Sequence, residues 1–356
     1  MSKIAIIDTI IDTSQIQNKN IEIYDLYFKS NSEDMCTLNH GTLCAMVLEE
    51  CASDYDLINI RIFEEDEMKT YCDIDKLCEA LQLCIALDIN VVSLSAGTMR
   101  LSDSKKLYEL TERLSKQAVV ISSLSNGKFV TVPASYPHVI GVRADVAEVL
   151  QPGDIAVQKE NQLGFDVYAN CDFTSLHEYG HTKSNSMAVP VVAAYANNLI
   201  NQGYSVGEVY EIIRSQKQYP LKESYADIDL LKDREVPIVF VEDTDDRKLY
   251  TYMDLLNERY EVEASALMQK PQGYDIRTKQ IEDIGFDLAF MKRYYKTDII
   301  FVYGNRGFLN KIRDQIEIDI EIIFESAEKS QFKYDDITEE VETSNVIDTL
   351  YHLLEA

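Results

Sequence analysis

Two periodicities alternate along the first half of this chain. Short apolar runs read as strands: "KIAIIDTII" (3–11), "LINIRIF" (57–63), "NVVSLSAG" (90–97), "AVVISSLS" (118–125) and "HVIGVRA" (138–144). Between the second and third, "DIDKLCEALQLCIALDI" (73–89) carries apolar residues at helical spacing. Between the third and fourth, "SDSKKLYELTERLSKQ" (102–117) does the same and opens on Ser and Asp as cap candidates. Apolar strands separated by amphipathic helices predict an α/β architecture with a parallel sheet covered on both faces. In such sheets the active site lies beyond the carboxyl ends of the strands. The polar residues there are Asp8, Ser95 and Asn126.

The pattern breaks over "QKQYPLKESYADIDLLKDR" (216–234), which is polar and weakly periodic, and then restarts. "VPIVFVE", "DIIFVYGN" and "IEIIFES" read as strands; "DRKLYTYMDLLNERY", "RGFLNKIRDQI" and "SNVIDTLYHLLEA" read as helices. The expected organisation is a first domain over 1–216, a linker over 217–232 and a smaller accessory α/β domain over 233–356. No glycine-rich phosphate loop is found in the latter. The acidic run "EDTDD" (242–246) reads as a solvated helix start that favours the helix dipole, with a metal site as its rival.

Charge narrows the function. The 356 residues carry a formal net charge of −27, which argues against nucleic acid or an anionic membrane as partner and would attract cationic peptides. No signal-peptide core or membrane-length apolar run is found. The seven cysteines have no C-x-x-C spacing and read as reduced, mostly core thiols, which points to a cytoplasmic protein.

Asp8 ends the first strand, His40 begins the helical pattern "HGTLCAMVLEE", and Ser186 begins the small-residue helix "SMAVPVVAAYANNLI". A serine nucleophile needs a base to take its proton, and the base needs a carboxylate to fix its tautomer. Asp–His–Ser is one of the chain orders in which that arrangement occurs. Singly, each residue could be a cap or helix-start residue. Together with the segments between them they are specific. "IAIIDT", "NHGTLCA" and "NSMAVP", joined by "VVSLSAG", "SSLSNG", "YPHVIGV" and "FDVYAN", resemble the subtilisin family of serine peptidases over residues 3 to 215.

The resemblance implies a subtilisin-like three-layer domain with a central parallel sheet. It implies Ser186 as nucleophile, His40 as base and then acid, Asp8 as orienting carboxylate, and Asn126 with the Ser186 N–H as oxyanion donors. Ser95, Ala96 and Gly97 would pair with the substrate backbone, and Thr131 would lie near the floor of the first specificity pocket. Glu64, Glu65, Asp66 and Glu67 would crowd the groove and favour a basic peptide, with a solvated acidic loop as the alternative. "FDVYAN" would be the turn before the serine. The chain departs from the family at Ile10, where glycine is usual, and at Ser184 and Asn185, where Gly-Thr is usual. A Cβ there would crowd the oxyanion site. The early first strand leaves no room for a folding propeptide.

A rival signature overlaps the serine motif: "HEYGH" (177–181) spells the H-E-x-x-H of zinc peptidases. That motif binds zinc on a helix. Gly180 and the lack of helical period make this one a loop, so no metal site is expected. The resulting expectation is a cytoplasmic serine endopeptidase that processes a specific peptide, removing the leader from a ribosomally made modified peptide. No cofactor is required; bound calcium is possible but not predicted. Biosynthetic partner enzymes would dock on 233–356. The alternatives are general intracellular proteolysis, or a catalytically weak or inactive peptide-binding scaffold of a maturation complex.

Overall fold

The computed structural model describes all residues except 19, 27–38, 67, 68, 72, 128, 159–165, 180–182, 222–234, 243–246, 327, 336 and 356; of 64–66, 69–71 and 166 it describes the backbone alone. The chain divides into two compact units, Met1–Thr98 with Lys105–Glu223, and Met99–Ser104 with Ser224–Ala356.

In the first unit β1 (Ser2–Asp8), β2 (Ile21–Asp25) and β3 (Tyr55–Arg61) are followed by a separate antiparallel hairpin of β4 (Glu64–Asp66) and β5 (Lys69–Tyr71). Then come β6 (Val91–Leu94), β7 (Val119–Ser123), β8 (Ile140–Ala144), β9 (Ile155–Gln158) and β10 (Asp166–Ala169). The sheet order is β2-β3-β1-β6-β7-β8-β10-β9, parallel throughout except where β9 meets β10. Ile4 and Ile6 on one face of β1, and Ala5 and Ile7 on the other, are all fully buried. That explains the unbroken apolar runs. β1 lies inside the sheet, between β3 and β6, so Asp8 sits at its carboxyl edge.

Among the described residues, the α-helices that belong with this sheet are α1 (His40–Cys51), α2 (Ile74–Ala86), α3 (Ser104–Leu114), α4 (Asn185–Asn201) and α5 (Val206–Arg214). α1, α4 and α5 share one core with Ile4 and Ile6. α4 is nearly all small apolar residues on its buried side, among them Ala188, Val192, Ala193, Ala194 and Ala196. Short side chains let it lie close against the sheet.

The second unit contains β11 (Ile238–Glu242), β12 (Ala264–Met268), β13 (Thr278–Gln280), β14 (Ile299–Tyr303), β15 (Ile320–Phe324), β16 (Lys329–Tyr334) and β17 (Ile337–Glu342). Its order is β13-β12-β14-β11-β15-β16-β17, parallel to β15 and antiparallel beyond. α6 (Arg247–Tyr260), α7 (Ile284–Tyr294), α8 (Arg306–Ile312) and α9 (Val346–Glu355) complete it. This is the second α/β unit expected.

Several details differ from the expectation. "FDVYAN" contributes strand β10 rather than a turn. The expected linker starts at 217, yet Gln218 bridges to Val157 and Tyr219 is buried. The Tyr219 ring stacks on Tyr168 at 3.9 Å and its hydroxyl donates to Asp145 at 2.6 Å. In the "EDTDD" run, Glu242 accepts from Arg306 Nε at 2.9 Å, and 243–246 lie outside the described residues. Among the described residues no helix is long and apolar enough to cross a membrane. The five described cysteines are free thiols, four of them buried.

Ala193→Leu would insert three carbons where α4 meets the sheet. The expected cost is about 1–3 kcal/mol, read as a lower urea midpoint at unchanged slope.

Candidate active site

The site begins with a buried carboxylate. Asp8 is fully buried at the end of β1. It accepts the Thr9 N–H at 2.7 Å and faces the Cys44 thiol at 3.6 Å. Asn59, buried in the middle of β3, fixes the turn that follows. It donates to Thr9 O at 3.1 Å and accepts the Ile11 N–H at 3.0 Å. Ile10 therefore stands in a turn held from outside, without the glycine expected there.

His40 opens α1. Asn39 caps that helix by accepting the Thr42 N–H at 2.9 Å. Gly41 then lies against the turn after β1. Its N–H donates to Thr9 Oγ1 at 2.8 Å, and a Cβ at this position would stand 2.5 Å from Thr9 O. Only glycine permits that approach, and the approach puts His40 beside Asp8. His40 Nδ1 lies 2.8 Å from both Asp8 oxygens, and Nε2 lies 2.9 Å from Ser186 Oγ.

Ser186 is in the first turn of α4, whose cap is Ser184. Helix starts leave backbone donors without intrahelical partners. Here Asn185 N–H donates to Asn126 Oδ1 at 3.3 Å, Met187 N–H to Ser184 Oγ at 3.4 Å, and Ala188 N–H to Ser184 O at 3.1 Å. Among the described residues the Ser186 N–H alone in this turn has no acceptor. On the other side of the same residue, Pro190 supplies no N–H to the Ser186 carbonyl four residues back. That carbonyl accepts Ser95 Oγ at 3.2 Å instead. The proline in "NSMAVP" thus frees a carbonyl for the segment after β6.

Asn185 braces the turn. Buried, it donates to Leu124 O at 2.9 Å and Ser125 O at 3.2 Å, and accepts the Ala144 N–H at 2.9 Å. It ties the ends of β7 and β8 to the start of α4. Asn126 is exposed, and with Oδ1 engaged its amide keeps both N–H donors. Ser184 is extended, at φ −130° and ψ 160°, which any residue adopts. Its Oγ lies 2.9 Å from Ser186 Oγ, and Ser186 keeps its contact with His40. The crowding expected from Ser184 does not separate these groups.

The other candidates fall in two groups. Thr98 and Val132 exchange backbone hydrogen bonds of 2.9 Å each. This stitches the segment after Ser95, Ala96 and Gly97 to the one containing Thr131. A Cβ on Gly97 would stand 2.8 Å from Thr131 Cγ2. Buried Thr131 spends its hydroxyl on Ser125 N–H and Phe129 O, at 3.0 and 2.9 Å. Ala96 is buried and its carbonyl accepts Ser122 Oγ at 3.3 Å. Glu64, Glu65 and Asp66 form strand β4, while Glu67 lies outside the described residues.

His177 sits in a 3-10 turn, Thr174–Tyr179, rather than the loop expected, and its Nε2 is 2.6 Å from Asp172 Oδ1. Lys183 pairs with the same carboxylate at 2.8 Å. Gly180 and His181 lie outside the described residues. Among the described residues, one set of three metal-ligating side chains converges: Asp8, His40 and Cys44, with ligand atoms within 4.8 Å of one another. Its imidazole Nδ1 is already taken by Asp8.

Asn59, Thr9 and Cys44 were not singled out from the sequence. Asn59 had a usable signal, a lone amide within an apolar strand pattern. Thr9 and Cys44 had none.

Electrostatics set the pH response. Burial pushes the His40 imidazole down, but the charges and hydrogen bonds of Cys44 and Asp8 outweigh it and raise His40 well above its ordinary value. Burial also raises the Cys44 thiol. A hydroxyl aligned on such an imidazole can lose its proton while attacking a carbonyl, provided the imidazole is neutral.

No protein-family model and no curated protein matches the sequence. Among solved structures it is similar to the prenylagaramide maturation protease PagA, at 17% identity and TM-score 0.38 over 57% of this chain and 78% of that one. It is similar to a lanthipeptide protease at 14% and 0.42, over 59% and 79%. It is also similar to the psychrophilic subtilisin-like protease Apa1 of the Antarctic psychrotroph Pseudoalteromonas sp. AS-11, at 20% and 0.30, over 40% and 36%. Overlap of this size fixes no residue's role.

Gly41→Ala should lower both stability and Ser186 reactivity, because the added Cβ forces His40 away from Asp8; urea denaturation and probe-labelling rates measure the two. The labelling rate should rise with pH through a midpoint above 6.5, the ordinary histidine value. Asp8→Asn should move that midpoint down while slowing the reaction.

Proposed function

We propose that this chain is a serine endopeptidase. Ser186 attacks the peptide carbonyl as His40 Nε2 takes its proton, and Asp8 holds the imidazole and stabilises its charged form. The observation that carries this reading is the line Asp8–His40–Ser186, with contacts of 2.8 and 2.9 Å, at the carboxyl edge of a parallel sheet. The oxyanion would lie between the Ser186 N–H, which has no acceptor among the described residues, and the Asn126 amide. His40 then gives its proton to the leaving amine, and water repeats the sequence on the acyl-enzyme. No cofactor takes part.

The finer reading is leader removal from a ribosomally made, modified peptide. The motif resemblance motivates it. The net charge of −27 suits a basic substrate segment, and the free thiols suit a reducing, cytoplasmic setting. The second α/β unit would serve substrate capture or docking of partner enzymes.

A fluorophosphonate probe tests the enzyme class. The purified protein should label at Ser186, keep its labelling in excess chelator, and lose it in Ser186→Ala. Labelling abolished by chelator, or absent from a folded protein, would contradict the reading. Asn126→Ala should lower peptidase turnover by about 10²–10³, as for an oxyanion donor. Reversing the charges of Glu64, Glu65, Asp66 and Glu67 should lower cleavage of basic peptides relative to neutral ones.

A further inference from the structure

We infer that Ser184 is a second hydroxyl donor to the reacting oxygen of Ser186, and that it speeds release of the acyl group. This rests on Ser186 being the nucleophile. The inference comes from counting protons along one hydrogen-bonded chain. Asp8 is a carboxylate and can only accept, so His40 Nδ1 carries the proton between them. In the neutral imidazole Nε2 must then accept, so the single Ser186 proton points to it across 2.9 Å. At the far end, the Met187 N–H can only donate, and it points to Ser184 Oγ. The single Ser184 proton is therefore free to lie along the remaining link, 2.9 Å to Ser186 Oγ. With His40 neutral, the form that can act as a base, every donor and acceptor on the line is assigned, and Ser184 donates to Ser186 Oγ.

A donor on that oxygen affects the two halves of the reaction unequally. In acylation Ser186 Oγ attacks with a lone pair, and a hydrogen bond to its other lone pair orients it at little gain. In deacylation water adds to the ester carbon and its proton passes to His40 Nε2. The tetrahedral intermediate collapses, the carbon–Oγ bond breaks, and its electron pair goes to Ser186 Oγ. The proton on His40 Nε2 then moves to that oxygen. Ser184 transfers no proton, but its O–H stabilises the charge developing on Oγ, where hydrogen bonds are strongest. The glycine usual at this position in the family that the motifs resemble could not do this.

Ser184 also caps α4, so the test must separate cap from donor. Glycine serves almost as well as serine at a helix start, and threonine keeps both cap and hydroxyl. The wild type, Ser184→Gly, Ser184→Ala and Ser184→Thr would be compared with p-nitrophenyl acetate, following the nitrophenol burst, the steady-state rate and the acetyl group on Ser186 by mass spectrometry. Gly and Ala should each slow deacylation about tenfold, enlarge or create a burst, and change acylation little. Thr should retain wild-type behaviour.

Equal deacylation in all four proteins would overturn the inference while leaving the nucleophile in place. So would a uniform fall in both steps, or a loss in Thr as large as in Ala. Turnover with no acetyl-Ser186 in any of the four proteins overturns both readings.

Discussion

A carboxylate buried at the end of an interior strand must be paired, because an isolated buried charge is costly. Asp8 is that group, and the surrounding structure is arranged to satisfy it. The Thr9 N–H, the His40 ring and the Cys44 thiol converge on its two oxygens. Meeting this need fixes the approach of α1, and with it the orientation of His40. Gly41 is the steric condition for that approach. Asn59 is the polar one, since it holds the turn against which Gly41 lies.

The Ser186 side of the site is built from a different constraint. α4 is narrow along its buried length and packs close to the sheet, so its first turn stands over the ends of β7 and β8. Asn185 ties those ends together and orients Asn126. Pro190 leaves the Ser186 carbonyl to Ser95, while the Ser186 N–H has no acceptor among the described residues. One local choice at each position, Asn before the serine and Pro four residues after it, determines which backbone groups are spent and which remain. The acyl chemistry proposed here uses the ones that remain.

Much of this was legible in the sequence because it follows from local pattern. Short isoleucine-rich runs such as "KIAIID", bounded by polar residues, read as strands buried on both faces, and their last polar residue then lies at the sheet's edge. The small-residue run after Ser186 marks a tightly packed helix. What escaped was set by contacts between residues distant in the chain. β12, "ASALM", has weak strand propensity and is made a strand by its neighbours β13 and β14. β17 is an edge strand rich in charge, and β16 beside it is largely polar, so polar side chains meet solvent there and periodicity fades. The contact between the Ser184 and Ser186 hydroxyls was out of reach of the sequence for a related reason: it depends on how the start of α4 is held by β7 and β8.

The central claim is that Asp8, His40 and Ser186 act as one unit. A mutant cycle on turnover of a peptide or ester substrate tests it most directly, using His40→Ala, Ser186→Ala and the double variant. Residues that act together lose nearly everything at the first substitution. The account predicts that the double variant is no slower than either single one. Losses that multiply, with His40→Ala and Ser186→Ala each contributing independently, would contradict it.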